Sequence, residues 1–438
     1  MKFRLLIILS CICGIAKAQQ PELQYFRRNN KDGLNVFETT KTDTVKFDGL
    51  KVRLGGNFSQ DFQGLTQNNT ANAVNVNAVN TNQLTKLSNG FNLAMANLNV
   101  GVQLADGVRM DLTLYLSSRH HNETWVKGGY IQFDKLPFLK CAAIDSIMKN
   151  FTIKVGDYEL DYGDQHYRRS DGGNTIYNPF VENYIMDEFA TEIGGEVYFH
   201  PKGGFIAMAG ITNGQLNPTV IQATAINAST GKVNKYAPAF HGKIGYDKQV
   251  NKDLRVRLTG SVYEVKSAAS NSLFNGDRTG SRYFFAMENT AATSADHPFS
   301  GRFNPGYAGE VTTFMVNPFI KFHGLEFFGT YEMAKGRKVA EATTRNTTQY
   351  AADLIYRFTA RNENFWVGGR YNTVTSQLTL NAADVSIERM VGSVGWFATK
   401  NIMLKAEYVS QKYNKFLASD IRSGGKFDGV MVEAVVAF

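Results

Sequence analysis

The sequence of 438 residues contains few residues that interrupt or cross-link a chain. It has 9 prolines and 3 cysteines, whereas an average proline usage of about 5% would supply roughly twice as many prolines. Proline removes a backbone N–H from a sheet ladder, so its scarcity suits a protein made of strands. Collagen-like and proline-rich disordered proteins are excluded. Because Cys11 and Cys13 fall in the N-terminal apolar stretch, Cys141 is the lone thiol of the remaining chain and no internal disulfide is expected.

Long apolar runs are also lacking. Beyond residue 18, no stretch approaches the roughly 18 consecutive apolar residues that a membrane-spanning helix needs. The mean hydropathy is −0.26, with 43% apolar and 20% charged residues. Two classes remain: a soluble multidomain protein, and a membrane β-barrel whose apolar residues occupy only every second position of each strand.

The first 18 residues have the organisation of a secretory signal peptide. Lys2 and Arg4 precede a short apolar run, and Ala16-Lys17-Ala18 is an A-x-A cleavage signal. The alternative, a lipoprotein anchored through Cys11, would shorten the apolar region to about five residues. Cleavage after residue 18 removes three bases and lowers the formal net charge from +8 to +5. This mild, diffuse excess does not predict binding to nucleic acid.

From residue 51 onwards, apolar and polar residues alternate in segments of about ten residues. In 108–117, valine, methionine and leucine alternate with arginine, aspartate, threonine, tyrosine and serine, and 254–263, 325–332 and 353–358 repeat the pattern. Successive side chains of a strand point to opposite faces, so each segment has an apolar face and a polar face. A soluble sandwich of this length would need several domains with linkers. No linker is visible in the sequence.

The connections between these segments alternate between short and long, as in outer-membrane barrels. Short ones include 105–107 and 323–324, and long ones include 164–189 and 266–309. Parity then predicts sixteen strands in an all-β protein, a transmembrane antiparallel β-barrel over 49–438. Eighteen strands are the alternative if 266–309 contains a hairpin.

Residues 19–48 precede the predicted barrel and are expected to form a periplasmic segment. A plug inside the lumen and a partner-binding element are the alternatives for these residues. At the other end, residues 428–438 place valines and an alanine on one face and finish on Phe438. This closing strand is similar to the insertion signal of Gram-negative outer-membrane barrels.

The sequence resembles the Gram-negative outer-membrane porins, and among them the phosphate-selective-porin-like barrels of the Bacteroidota. Three stretches carry the resemblance: Val52 to Gly56 (VRLGG), Phe151 to Gly163 (FTIKVGDYELDYG) and Leu404 to Val409 (LKAEYV). The resemblance implies a barrel in the lipid bilayer of the outer membrane, small polar or anionic solutes as partners, and a homotrimer. It implies no particular solute.

If the apolar faces contact lipid, the opposite faces line a water-filled lumen, because sixteen strands enclose a channel. Bases outnumber acids on those faces, which predicts a weak anion preference. The alternative is that these charges form salt bridges between strands and only stabilise the wall. The residues predicted to line the pore are Arg109, Asp111, Tyr115, Lys154, Arg255, Arg257, Arg357 and Arg370.

The connection 164–189 is the third extracellular loop by strand count, and in general porins this loop folds into the lumen. Its charged residues are predicted to constrict the pore, with guanidinium groups opposite carboxylates. A solvated surface loop is the alternative. The predicted constriction residues are Asp164, Arg168, Arg169 and Asp171.

Signatures of catalysis and of cofactor binding are missing from the sequence. It contains no H-E-x-x-H, no G-x-S-x-G and no P-loop pattern, and the adjacent His120 and His121 would point to opposite faces of a strand. We therefore expect neither an enzyme nor a cofactor or metal site. The predicted function is passive diffusion of small polar solutes, and the alternative is a non-conducting barrel that serves as a scaffold in an envelope complex.

Overall fold

The structure of the protein is a computed structural model. The predicted signal peptide lies outside the described residues. Among the described residues, no helix is long and apolar enough to cross a membrane. The described ranges are 20–42, 45–93, 95–117, 124–170, 174–224, 226–228 and 230–438.

Sixteen long strands form one closed antiparallel barrel, which confirms the predicted fold and strand number. Each strand pairs with the next one along the chain, and the first strand also pairs with the last, with Asn57 opposite Ala437. The strands are β1 (Lys51–Asn68), β2 (Met95–Ala105), β3 (Val108–Ser117), β4 (Thr124–Phe133), β5 (Phe151–Glu159), β6 (Thr191–Phe199), β7 (Phe205–Thr212), β8 (Ala239–Gln249), β9 (Leu254–Val265), β10 (Glu310–Phe322), β11 (Leu325–Arg337), β12 (Arg345–Arg357), β13 (Phe365–Gln377), β14 (Asp384–Thr399), β15 (Ile402–Asn414) and β16 (Lys426–Ala437).

The remaining regular elements are short. Gly90–Phe91 pairs with β1, and Asn75–Val76 pairs with Val79–Asn80 in a small separate hairpin. The connection 266–309, which is described throughout, contains no strand, so the count is sixteen and not eighteen. Among the described residues, the helix α1 is Ala142–Met148, and the 3-10 helices are Lys31–Gly33, Pro137–Leu139, Gln165–Arg168, Thr175–Tyr177 and Thr359–Arg361.

The two ends of the barrel differ in the length of their connections. At one end, here called the turn end, β1 begins, β16 ends, and most neighbouring strands are joined by two to seven residues. The exception is the turn-end segment, residues 134–150, which contains α1. The other end, the loop end, carries the long connections. Two of these are the third loop, residues 160–190, described except for 171–173, and the fifth loop, residues 266–309.

The barrel wall has an apolar outer face and a mainly polar inner face. In β12, Leu354 and Tyr356 are exposed, whereas the alternate positions Asp353, Ile355 and Arg357 are buried. This is the alternation expected of strands whose successive side chains point to opposite sides. The outward positions form the surface that meets lipid, and the inward positions form the boundary of the lumen.

The lumen holds three stretches of chain. The third loop is buried along most of its described length. The fifth loop lies beside it, because the hydroxyl of Ser281 donates to Glu182 of the third loop at 2.7 Å. Within the fifth loop, the backbone N–H of Ser281 donates to the carbonyl of Pro298. Residues 20–42, here called the N-terminal segment, contact inward-facing side chains at the turn end: Asn35 donates to Glu326 at 2.7 Å. The tightly packed interior of the protein is therefore inside the barrel.

Candidate functional site

The third loop is fastened to the wall by a buried charge cluster. The carboxylate of Asp164 accepts hydrogen bonds from the Nε of Arg257 at 2.7 Å and from the hydroxyl of Thr259 at 2.7 Å, and its Oδ1 lies 3.0 Å from the Nζ of Lys243. Burial raises the pKa of Asp164, but the charges of Arg257 and Lys243 outweigh burial and hold that pKa below its usual range. The carboxylate is therefore charged and tightly held at neutral pH.

The same cluster also binds the N-terminal segment. Both terminal nitrogens of Arg257 donate to the carboxylate of Glu38, at 2.7 and 2.8 Å. The Phe37 ring packs edge-on against Phe319 of β10, with centroids 5.4 Å apart. Arg257 thus joins three parts of the molecule: the wall, the third loop and the N-terminal segment.

Further round the wall, the third loop meets strands β12 to β15 in the same way. Arg370 donates to both oxygens of Asp353, at 2.7 and 2.9 Å, and the Tyr184 hydroxyl of the loop donates to the same carboxylate at 3.1 Å. The ammonium of Lys405 donates to the carbonyl of Phe180 at 2.6 Å. Side chains of the wall therefore hold the backbone and side chains of the loop against it.

The fifth loop closes the lumen over this region. Arg302 donates to Glu182 at 2.7 Å and to Asp187 at 2.6 Å, both in the third loop. The Tyr283 hydroxyl donates to Glu407 of β15 at 2.6 Å. We call the region between these loops and strands β9 to β16 the packed half of the barrel. A void in it, beside Arg370, has a volume of about 10 Å³.

Most of the predicted lumen arginines lie in the packed half. Arg257 and Arg370 are paired as described, and Arg357 donates to Glu326 at 2.8 Å. In the third loop, Arg168 donates to Asn35 at 2.6 Å and Arg169 to Asp187 at 2.8 Å. These side chains hold wall, loops and N-terminal segment together. Asp171 lies outside the described residues.

The opposite side of the lumen, along β3 to β6, contains a row of cavities, and we call it the hollow half. A mouth cavity of about 1390 Å³ opens at the turn end and is followed by an inner cavity of about 260 Å³. An upper cavity of about 240 Å³ continues from the inner one towards the loop end. Glu38 and His200 line both the mouth and inner cavities, and Tyr130 and Lys154 line both the inner and upper cavities, so the three adjoin.

Three of the predicted pore residues line the inner cavity, and one of them, Lys154, also lines the upper cavity. Arg109 and Asp111 form an ion pair beside the inner cavity, and Arg109 also donates to Gln132 at 2.7 Å. The Nζ of Lys154 lies 3.5 Å from Glu196 and over two rings, 4.6 Å from the centroid of Tyr130 and 4.2 Å from that of Tyr158. Lys154 is therefore held both by a carboxylate of the neighbouring strand and by two aromatic faces.

The other two predicted residues have different positions. Arg255 lines the mouth cavity, where it donates to both oxygens of Asp247 at 2.9 and 2.7 Å. Tyr115 is buried on the inward face of β3.

Arg27 of the N-terminal segment also lines the inner and upper cavities, and the sequence did not identify it. Its guanidinium lies 3.8 Å from the centroid of the Tyr177 ring and donates to the carbonyls of Gly33 and Tyr167, each at 3.0 Å. No carboxylate in the described part of the chain pairs with it at contact distance. Burial lowers its pKa. The N-terminal segment has no sequence periodicity from which the position of Arg27 could be predicted. Tyr158 could have been predicted, because the alternation of β5 puts it on the same inward face as Lys154.

Within the described ranges, no group of three histidine, cysteine or acidic side chains is arranged to hold a metal ion. At the level of the upper cavity, the third loop contributes Asp161 and His166, whose Oδ1 and Nε2 are 2.8 Å apart. Above them, Lys127 of β4 pairs with Asp277 of the fifth loop. The hollow half is thus bounded by the wall on one side and by all three luminal segments on the other.

No protein-family model matches the chain, and no curated protein matches it. Solved structures do match. The anion-selective porin from Comamonas acidovorans has 12% sequence identity, a TM-score of 0.50, and coverage of 89% of this chain and 100% of that chain. OprB of Pseudomonas putida has 10% identity, a TM-score of 0.50, and coverage of 89% and 94%. The outer membrane channel DcaP of Acinetobacter baumannii has 12% identity, a TM-score of 0.49, and coverage of 89% and 98%.

At such low identities the likeness concerns the fold. The chain has the sixteen-stranded barrel fold of outer-membrane porins. Its closed wall and apolar outer face are those of a transmembrane β-barrel.

Proposed function

We propose that this barrel lets small polar solutes diffuse across the outer membrane through its hollow half. The observation that carries the proposal is the row of adjoining cavities along β3 to β6, with volumes of about 1390, 260 and 240 Å³. In the packed half, the void beside Arg370 is about 10 Å³, and a cavity of about 550 Å³ lies at the turn end, where it shares Arg255 with the mouth cavity. The third loop narrows the route, because its Tyr167 and Asn174 face Lys154 and Tyr130 across the inner and upper cavities.

We propose that two bases beside the inner and upper cavities, Arg27 and Lys154, give this route a weak anion preference. Arg27 and Lys154 lie over tyrosine rings, while Glu38 is engaged by Arg257 and Lys243. A cation on an aromatic face keeps more of its field for a passing solute than one in a bidentate ion pair. The bases of the hollow half, more than the arginines of the packed half, are the source of this preference.

Planar-bilayer recording of the purified protein tests the proposal. We expect small stepwise currents and a reversal potential in a salt gradient that favours anions. Protein that inserts without stepwise currents would contradict the channel, and cation selectivity would contradict the role of Arg27 and Lys154.

A blocking substitution tests the route. Thr113 on the inward face of β3 lines both the inner and upper cavities, so Thr113→Trp should reduce the single-channel conductance by about half or more, since a tryptophan side chain occupies much of a cavity this small. Leu116→Trp, an exposed position on the same strand, is the matched control and should leave conductance unchanged. If both variants had the conductance of the wild type, the solute route would not pass through the inner and upper cavities.

A second function, a closed barrel that serves as a scaffold in an envelope complex, is favoured by one observation. The N-terminal segment and the fifth loop both lie in the lumen, and Lys31 of that segment donates to the carbonyl of Asn362 at the turn end, at 2.6 Å. In this case the wild type is silent in bilayers, a variant lacking residues 20–42 conducts, and a stoichiometric partner co-purifies. Currents of equal size with and without these residues would argue against a plug.

The homotrimer implied by the family resemblance and the placement among Bacteroidota barrels remain predictions. The mass of the detergent-solubilised protein, measured by light scattering, tests the first: three copies of the chain are expected, and a single copy would contradict it.

A further inference from the structure

The turn-end segment, residues 134–150, is much longer than the other connections at its end of the barrel and carries exposed apolar side chains. Phe138 and Leu139 in its 3-10 helix are 61% and 47% exposed, and Ile147 in α1 is 56% exposed. Exposed apolar side chains grouped on one connection mark a site of contact with a membrane or with another protein.

The segment begins and ends at an aromatic girdle on the outer surface of the barrel. It follows Phe133 and precedes Phe151, both at outward positions. The Phe151 ring lies 4.9 Å from that of Phe199, which lies 6.4 Å from that of Phe205. Farther round the turn end, Phe365 stacks on Trp396 at 5.8 Å. Aromatic girdles of this kind mark the boundary between hydrocarbon and headgroups in outer-membrane barrels.

Phe138 is continuous with this girdle. Its ring packs edge-on against that of Phe133, with centroids 6.3 Å apart and planes at 74°. Because Phe133 faces the lipid, Phe138 stands on the same outer side of the barrel, just beyond the end of β4.

The two sides of α1 have different surroundings. Asp145, Met148 and Lys149 line the mouth cavity. At about 100° per residue, Ile147 lies roughly opposite Asp145 around the helix and therefore faces away from the mouth. Lys140, exposed between the 3-10 helix and α1, has no ion-pair partner at contact distance in the described part of the chain. An exposed base next to apolar side chains suits the interface of a phospholipid leaflet.

We propose that the turn-end segment rests on the phospholipid leaflet at the turn end of the barrel. Phe138, Leu139 and Ile147 enter the interfacial region, and Lys140 contacts lipid phosphates. The segment thereby fixes the depth and tilt of the β4–β5 side of the barrel, which is the side that contains the cavities. A phospholipid is preferred over a protein partner because the apolar side chains continue the lipid-facing girdle.

The test uses a fluorophore that reports on lipid. The variant Phe138→Cys, in a Cys141→Ala background, is labelled with the fluorophore NBD and inserted into vesicles of phosphatidylethanolamine and phosphatidylglycerol. The matched control is Lys252→Cys in the same background, an exposed residue of the turn between β8 and β9. Lipids with a headgroup nitroxide should quench the label at 138 at least twofold more than the label at 252, and aqueous iodide should show the reverse order.

Equal iodide quenching at the two positions would overturn the proposal. The proposal would also be overturned if the label at 138 were shielded from iodide in native outer membranes but accessible to iodide in the vesicles. In that case a protein, and not lipid, would cover the segment. If the label at 138 prevents folding, Ile147→Cys carries the same expectation. The contact of Lys140 with phosphate is tested in protein labelled at 138. Lys140→Glu should weaken nitroxide quenching in phosphatidylglycerol vesicles more than in phosphatidylcholine vesicles. An equal effect in both kinds of vesicle would overturn this contact.

Discussion

Basic side chains point into both halves of the lumen but meet different partners there. In the packed half, Arg257 bonds the carboxylates of Asp164 and Glu38, and Arg370 bonds both oxygens of Asp353. In the hollow half, Arg27 lies over a tyrosine ring. Lys154 lies over two rings and 3.5 Å from Glu196 of the wall, and Arg109 pairs with Asp111 on its own strand. Carboxylate partners consume the directional hydrogen bonds of a guanidinium and close the space around it. Ring partners leave space beside the cation, and the cavities lie there.

The two halves show that a charged side chain facing the lumen does not for that reason line a pore. What matters is whether another segment of chain supplies a counter-ion for it. The third loop and the N-terminal segment supply such counter-ions to strands β8 and β9 through Asp161, Asp164 and Glu38. Along β3 to β5 the same segments mainly contribute aromatic rings and backbone carbonyls.

The largest effect is expected from Arg257→Ala in the packed half. The change leaves the buried carboxylates of Asp164 and Glu38 without their main partner, and breaking a buried pair in this way costs about 3–5 kcal/mol. Urea unfolding of the barrel in vesicles measures the loss. Arg255→Ala, at the more accessible mouth, is the control and should cost less than about 1 kcal/mol. Similar losses for the two variants would remove the distinction between packed and open positions.

A pair of tyrosine substitutions compares the halves directly. Tyr184→Phe in the packed half removes a hydrogen bond to the Asp353 carboxylate and should cost about 1–2 kcal/mol of unfolding free energy. Tyr158→Phe in the hollow half removes a hydroxyl that has no hydrogen-bond partner among the described residues and should change stability by less than about 0.5 kcal/mol. The same unfolding assay measures both variants. A larger loss for Tyr158→Phe than for Tyr184→Phe would show that the wall of the cavities is packed more tightly than the packed half.

The third loop contains two glutamates with opposite pKa shifts. Burial, with the nearby charges of Glu332 and Asp187, raises the pKa of Glu188 well above its usual range. Burial also acts on Glu182, but Arg302 and Arg389 outweigh it and lower that pKa. A raised pKa costs stability as pH rises above the unfolded-state value, and a lowered pKa adds stability there.

Heat denaturation, followed by gel mobility at pH 4 and pH 8, tests this contrast. Glu188→Gln should raise the midpoint temperature at pH 8, with a smaller gain at pH 4. Glu182→Gln should lower the midpoint at pH 8, and its deficit should shrink as pH falls through the native pKa of Glu182. Shifts that do not depend on pH would show that the substitutions act through packing alone.

The smallest effect, in free energy, is expected for ion selectivity. Lys154→Glu reverses a charge beside the inner and upper cavities and should lower the anion-to-cation permeability ratio by about fivefold, since charges near water interact by roughly 1 kcal/mol. The reversal potential in a potassium chloride gradient measures the change. Lys400→Glu, in an exposed turn away from these cavities, should leave the ratio unaltered, and a shift of equal size would point to a diffuse surface field.

Much of the wall could be predicted from the sequence. The alternation in 353–358 and 254–263 places Arg255, Arg257 and Arg357 on inward faces, because a strand has a strict period of two. Their role in a pore stays a prediction. Loop parity led to sixteen strands, because both ends of the barrel sheet meet at the turn end. The 3-10 helices and the contacts within the loops have no such period and could not be read in this way.

The partners of the inward-facing charged side chains could not be predicted from the sequence. Asp164 and Arg257 are 93 positions apart, and Glu38 and Arg257 are 219 apart. Arg168 and Arg169 of the predicted constriction bond within the lumen to Asn35 and Asp187, partners that no local pattern indicates. Their effect on a passing solute stays a prediction. Arg27, in a segment without regular secondary structure, was missed for the same reason.

The sequence by itself determined the class of fold, the strand number and the two faces of the wall, because these follow from local alternation and from the need to pair every strand. Only the tertiary structure decided which half of the lumen is filled. That choice depends on contacts between Arg257, Asp164 and Glu38 and on the aromatic faces that hold Lys154 and Arg27. These are long-range interactions, and no local pattern in a chain encodes them.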